Sequence, residues 1–161
     1  MAKPIWGLWV GRRSHHPRPL HYFRVRPSRR SRLFVHVEVY RTVGDLRRAS
    51  DCDSRLAGKR FNARGMVGQC VAIEERRKRD HRLLGGFAIV RLAARYCGTT
   101  TITHEAFHAT CRWAARKRLT LDLSCSMTRA MIARPEERMA TAHDALCRGI
   151  VHRLYRLGVL K

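Results

Sequence analysis

The segment His104-Glu105-Ala106-Phe107-His108 makes the tightest demand on the fold, because its residues can act together only on a helix. Residues four apart lie one turn apart on one helix face, so both imidazoles can address a single zinc ion. Glu105, beside the first imidazole, can reach a water bound to that ion and take its proton as general base. The flanks agree with a helix. Cys97-Gly98 breaks the preceding pattern, Thr99 to Thr103 lead in, and helix-compatible sequence continues to about Arg118. The plainer alternative is an accidental match in a chain with nine histidines, its two imidazoles held by hydrogen bonds or water.

The surrounding sequence predicts a small α+β unit. Leu33 to Tyr40 alternates and reads as a strand with one apolar face, Leu33, Val35, Val37 and Val39. Thr42 to Ala49 reads as a short helix with Thr42 as cap and Asp45 three residues on. Residues 50 to 64 are polar and loop-like. Met66 to Ile73 and Gly86 to Ala93 read as two further strands, with the charged run Glu74 to Arg82 as a solvated turn between them. Residues 119 to 133 form a connector. Pro135 suits the first turn of a last helix, with Glu136 and Glu137 in that turn. Met139, His143, Leu146, Ile150, Leu154 and Leu157 make one stripe at helical spacing. Phe107, Trp113, Leu119, Cys97, Cys111 and Cys147 are expected in the core.

A catalytic zinc takes three protein donors and keeps one position open. The HExxHxxGxxH form needs Gly and His where this chain has Cys111 and Ala114, so that form is excluded. Cys111 is a conceivable donor, although a buried Cys is usually a small core residue. No His occurs between 109 and 142. The acidic pair Glu136-Glu137 is the better candidate, since a helix packed antiparallel on the first can carry a carboxylate to the metal. Weaker expectations are Asp144 as a partner to a metal-bound imidazole, against a plain surface Asp, and His143, Tyr96 or Tyr155 as oxyanion donors.

HEAFH followed by Pro135-Glu136-Glu137-Arg138-Met139-Ala140 resembles the glutamate-zincin type of metallopeptidase, and is similar to the small HExxH domains common in phages and bacteria. The resemblance covers about residues 33 to 157, while its specific motifs cover about ten residues. It implies a minimal zincin-like domain: a small three-stranded sheet packed on the HExxH helix and a C-terminal helix. It implies zinc-dependent hydrolysis of a peptide or protein substrate, with Glu105 as base and His104 and His108 as ligands. In that group the third ligand lies in an ExxA pattern, which Glu137 to Ala140 matches; Glu136 is the alternate. The group also has an edge strand just before the metal helix, where a peptide adds by strand pairing. Gly86 to Leu92 stands in that place here.

Charge points to a second class. The chain has 34 Lys plus Arg, only five of them Lys, against 12 Asp plus Glu, for a net charge of +22. Clustered arginine suits a polyanion, although GC-rich codon usage gives the same bias. Residues 1–32 hold nine basic residues, four prolines and no acid. They read as a basic, disordered arm before a domain over 33–161, and as a possible nucleic-acid contact. No helix-turn-helix or RNA-binding motif accompanies them. The six cysteines are scattered without a Cys-x-x-Cys pair, which argues against a cysteine zinc finger. No apolar run nears the roughly 20 residues of a membrane span. A cytoplasmic protein of a bacterium or phage-infected cell is the resulting expectation.

Overall fold

The computed structural model describes residues 16–56, 65–73, 85–119 and 135–161. The connector expected over 119–133 and the charged turn over 74–82 lie almost wholly outside the described residues, as do residues 1–15 of the expected arm.

The elements run β1 (His21–Val25), β2 (Phe34–Tyr40), α1 (Val43–Leu56), β3 (Gly68–Ala72), β4 (Gly86–Ala93), a 3-10 turn over Ala94–Tyr96, α2 (Thr99–Arg116) and α3 (Pro135–Arg156). The fold is α+β. The sheet has four strands in the order β1-β2-β4-β3, not three. β2 and β4 are parallel at its centre; β1 and β3 are antiparallel edges.

The fourth strand comes from the segment expected to be disordered. In β1, Phe23 and Val25 are buried while Arg24, and Arg26 just past the strand, are exposed, an alternation that suits an edge strand with one wet face. The arginines hide that period in the sequence, but the structure gives them work. Arg24 lies 4.6 Å over the Phe34 ring and donates to the Tyr22 hydroxyl at 3.2 Å. A domain boundary at residue 32 therefore falls inside the sheet.

Every residue of β2 and β4 is buried, because both faces of the central pair are covered. Val35, Val37, Val39, Ala88, Val90 and Leu92 meet α2 and α3 in the main core. On the opposite face Tyr40 and Ala93 pack with Leu46 and Ala49 of α1. Helix α3 also crosses β1 so closely that a Cβ at Gly149 would lie 2.4 Å from Val25 Cγ1. That approach explains a glycine in mid-helix, where it otherwise costs about 1 kcal/mol.

Helix α1 runs seven residues beyond Ala49, through Leu56, into the stretch read as a loop. Its polar inner residues find partners below: the buried Ser50 hydroxyl donates to Leu46 O and to Gln69 Oε1, and Asp53 pairs with Arg91. The N-terminal cap is as expected. Thr42 Oγ1 accepts from the Asp45 N–H at 3.0 Å, and the hydroxyl donates to the Asp45 carboxylate at 2.7 Å. Thr42→Ala should cost about 1 kcal/mol in urea unfolding. The Thr42 hydroxyl foremost, with help from Arg48 and against some burial, holds the Asp45 carboxyl below its usual range. Its stabilisation is therefore present above the ordinary Asp pKa and is lost as pH falls through the lower native value. Asp45→Asn should lower the urea midpoint at pH 7 and much less near pH 2; an equal effect at both would contradict this.

Candidate functional site

Residues 104–108 lie on α2, as the motif requires. His104 and His108 are exposed, their rings edge-to-face at 4.6 Å, with Nε2 atoms 3.1 Å apart. Two imidazole nitrogens on one tetrahedral zinc, each about 2.0–2.1 Å from it, stand roughly 3.3 Å apart. The pair thus presents the spacing of two zinc donors; the same distance suits an N–H···N hydrogen bond in the metal-free chain.

Glu105 points about a quarter turn away from the imidazoles, toward β3, and is 5% exposed. Gly68 makes that position possible. A Cβ there would lie 2.8 Å from Glu105 Oε1 and 2.9 Å from Thr101 Cγ2. Burial raises the Glu105 pKa, with the neighbouring His104 charge acting the other way. Burial, then the Glu105 charge, pushes the nearby Cys70 thiol up to about 12, so it stays protonated.

The third donor is where the expectation departs from the structure. Helices α2 and α3 pack on each other. The Phe107 ring meets the His143 ring edge-on at 6.1 Å. That contact sets the middle of α3 beside the motif. Along α3, Glu136 lies seven residues before His143, about 10 Å along the axis at 1.5 Å per residue, and Glu137 six residues before it, about 9 Å. Among the described residues no three His, Cys, Asp or Glu gather as a metal site, so neither Glu137 nor Glu136 joins the pair. Glu137 is exposed, and Glu136 keeps one buried oxygen without a hydrogen-bond partner. The two imidazoles thus have the spacing of zinc donors, and among the described residues no third His, Cys, Asp or Glu joins them.

The edge strand is also reassigned. Gly86–Ala93 is central, paired with β2 on one side and β3 on the other, and offers no free edge. Its apolar run, interrupted only by Arg91, reflects cover on both faces. Among the described residues, the sheet edge near Glu105 is that of β3.

The remaining expectations divide. Trp113 and Cys97 are buried; Leu119, Cys111 and Cys147 are half-buried. Phe107 is 53% exposed and touches His108 and His143. Asp144 pairs on the surface with Arg148 at 2.6 Å. Tyr155 lies three turns from His143 along α3, and Tyr96 precedes α2; both are exposed.

Sequence reasoning missed a buried polar cluster under α1. Arg91, 1% exposed, donates from Nε to Glu38 Oε2 at 2.9 Å and from Nη1 to Gln69 Oε1 at 3.1 Å, and its Nη2 pairs with Asp53. Tyr40 donates to the same Glu38 oxygen at 2.9 Å. Burial works against the guanidinium charge, yet Glu38 and Asp53 outweigh it and raise the Arg91 pKa. Burial, then Glu38, raises that of Tyr40. The available signal was one arginine in an otherwise apolar central strand, since a buried charge requires a partner.

A basic cleft of about 460 Å³ lies beside the start of α1, lined by His16, Arg18, Leu20, Arg41, Asp45 and Arg48. Its one acid is already bound to Thr42 and Arg48. Among the described residues no helix is long and apolar enough to cross a membrane. Comparison of the chain with protein-family models, with curated proteins and with solved structures finds no match.

Proposed function

We propose that the chain is a zinc-dependent peptide hydrolase with His104 and His108 as metal donors and Glu105 as general base. The observation that carries this reading is the arrangement on α2: two exposed imidazole nitrogens 3.1 Å apart beside a carboxylate buried against an edge strand. Zinc held there would polarise a substrate carbonyl and lower the pKa of a bound water toward about 7. Glu105 takes a proton from the attacking water and passes it to the leaving amine. β3 has a described strand on one side only, so an extended peptide can pair along its outer edge. Gly68 leaves room there for Glu105. The reading is tested with labelled, unfolded casein: cleavage should stop on adding EDTA and return with zinc. Cleavage indifferent to chelation, or none after zinc loading, would overturn it.

The arginine-lined cleft favours a second reading, nucleic-acid binding. Removing one bound phosphate from the interface should flatten the plot of log affinity against log salt by about 0.7–0.9. The variant Arg18→Glu/Arg41→Glu/Arg48→Glu should therefore bind a single-stranded DNA oligonucleotide more weakly and with a slope smaller by about 2. An unchanged slope would remove the cleft from consideration. Deleting residues 1–32 is not a clean test of an arm, since it strips β1 from the sheet. Deletion of residues 1–15 leaves every described element intact.

A further inference from the structure

We propose that the basic cleft beside α1 continues along β1 as a track for single-stranded nucleic acid, with Arg24 and Arg26 as further phosphate contacts and the Tyr22 ring as a platform for a base; the inference rests on the nucleic-acid reading above. Strand register carries it. The Leu20 N–H donates to Val39 O, and the ladder pairs Tyr22 with Glu38 and Arg24 with His36. Alternate residues of a strand share a face. Leu20, Tyr22 and Arg24 therefore lie on the side of Tyr40, the side that bears α1. Leu20, 42% exposed, lines the cleft, so the row leads out of it. Arg18 precedes the row and Arg26 follows it, and the run spans at most roughly 26 Å at 3.3 Å per residue. Arg18, Arg24, Arg26, Arg41 and Arg48 are all exposed. The opposite face of β1, Phe23 and Val25, is closed by the main core.

Chemistry agrees with position. Arg24 lies 4.6 Å over the Phe34 ring and donates from Nε to the Tyr22 hydroxyl, which is also hydrogen-bonded to His36 Nδ1. These contacts hold the guanidinium and the half-buried Tyr22 ring in place before anything binds, so less side-chain entropy is lost on binding. The neighbouring carboxylates are occupied: Glu38 accepts from Arg91 and Tyr40, and Asp45 from Thr42 and Arg48. Aromatic rings along a basic groove stack bases of any identity while the cations take the phosphates. In a duplex the base faces are already stacked on one another, and exposing one costs a few kcal/mol. The Tyr22 ring therefore selects the single strand.

The test measures binding of the full chain to a labelled oligothymidylate of about 12 nucleotides, within the usual site size of one small fold, across a salt series. An oligouridylate is run beside it, and the tighter-held of the two is carried through the variants. Arg24→Gln/Arg26→Gln should flatten the plot of log affinity against log salt by about 1.4, two single-strand phosphates at about 0.7 each. Tyr22→Leu should weaken binding about tenfold with the slope unchanged, since a stacked base releases no counterions, and Tyr22→Phe should stay near wild type. Unlabelled duplex should compete at least about tenfold less well than the single strand. Circular dichroism and thermal unfolding check that each variant keeps the sheet. An unchanged slope in a folded Arg24→Gln/Arg26→Gln protein, or a duplex that competes equally, overturns the track; a slope still lowered by Arg18→Glu/Arg41→Glu/Arg48→Glu then leaves the cleft reading intact. No binding of either oligonucleotide by the wild type overturns both.

Discussion

Arg91→Met is expected to destabilise the protein by about 3–5 kcal/mol, the cost of removing one partner from a buried ion pair. For a chain of this size that is a fall in Tm of roughly 10 °C. The reason is asymmetric. The guanidinium serves Glu38, Gln69 and Asp53 at once, and its removal leaves two carboxylates without their cation on the covered face of the sheet. A hydrophobic side chain of similar length fills the space but satisfies neither. The further change Glu38→Gln/Asp53→Asn in the same chain should return much of the loss, because no buried charge then remains at the cluster. Urea unfolding of the single and triple variants measures both. A loss below about 1 kcal/mol in Arg91→Met would mean that water reaches the cluster and the pairing adds little.

Glu105→Gln is expected to keep the metal and lose hydrolysis by about 10²–10⁴-fold, the usual contribution of a positioned general base. The amide occupies the same volume against Gly68, so α2 and β3 should keep their contact. It cannot accept the water's proton. The paired readout matters: zinc content unchanged and turnover lost assign Glu105 to chemistry, whereas loss of both makes it a support for the helix. Turnover within about twofold of wild type would remove Glu105 as the base.

Local rules read much of the fold from sequence. The Thr42–Asp45 cap, Pro135 at the head of α3 and the helix around HEAFH depend on residues within one turn of each other, and each lies where spacing placed it. β4 was legible to the residue, since seven of its eight positions are apolar or small and have no other use. What escaped depends on distant partners. β1 is an arginine-rich edge strand that only its ladder with β2 stabilises. The last two turns of α1 look polar until Arg91 and Gln69 rise to meet them. The position of Gly86–Ala93 at the centre of the sheet, not its edge, is a matter of strand order that no local pattern encodes. The HEAFH pair is spaced by one helix and was readable. A third donor depends on how two helices pack, which spacing within one segment does not encode, and among the described residues none joins the pair.

The most direct measurement is the metal content of the purified chain after incubation with zinc and desalting, beside the His104→Ala/His108→Ala variant. About one zinc per chain in the wild type, absent from the variant, is the expected result. Equally low zinc in both would contradict a metal site at HEAFH and leave the two imidazoles as a hydrogen-bonded pair on the surface of α2.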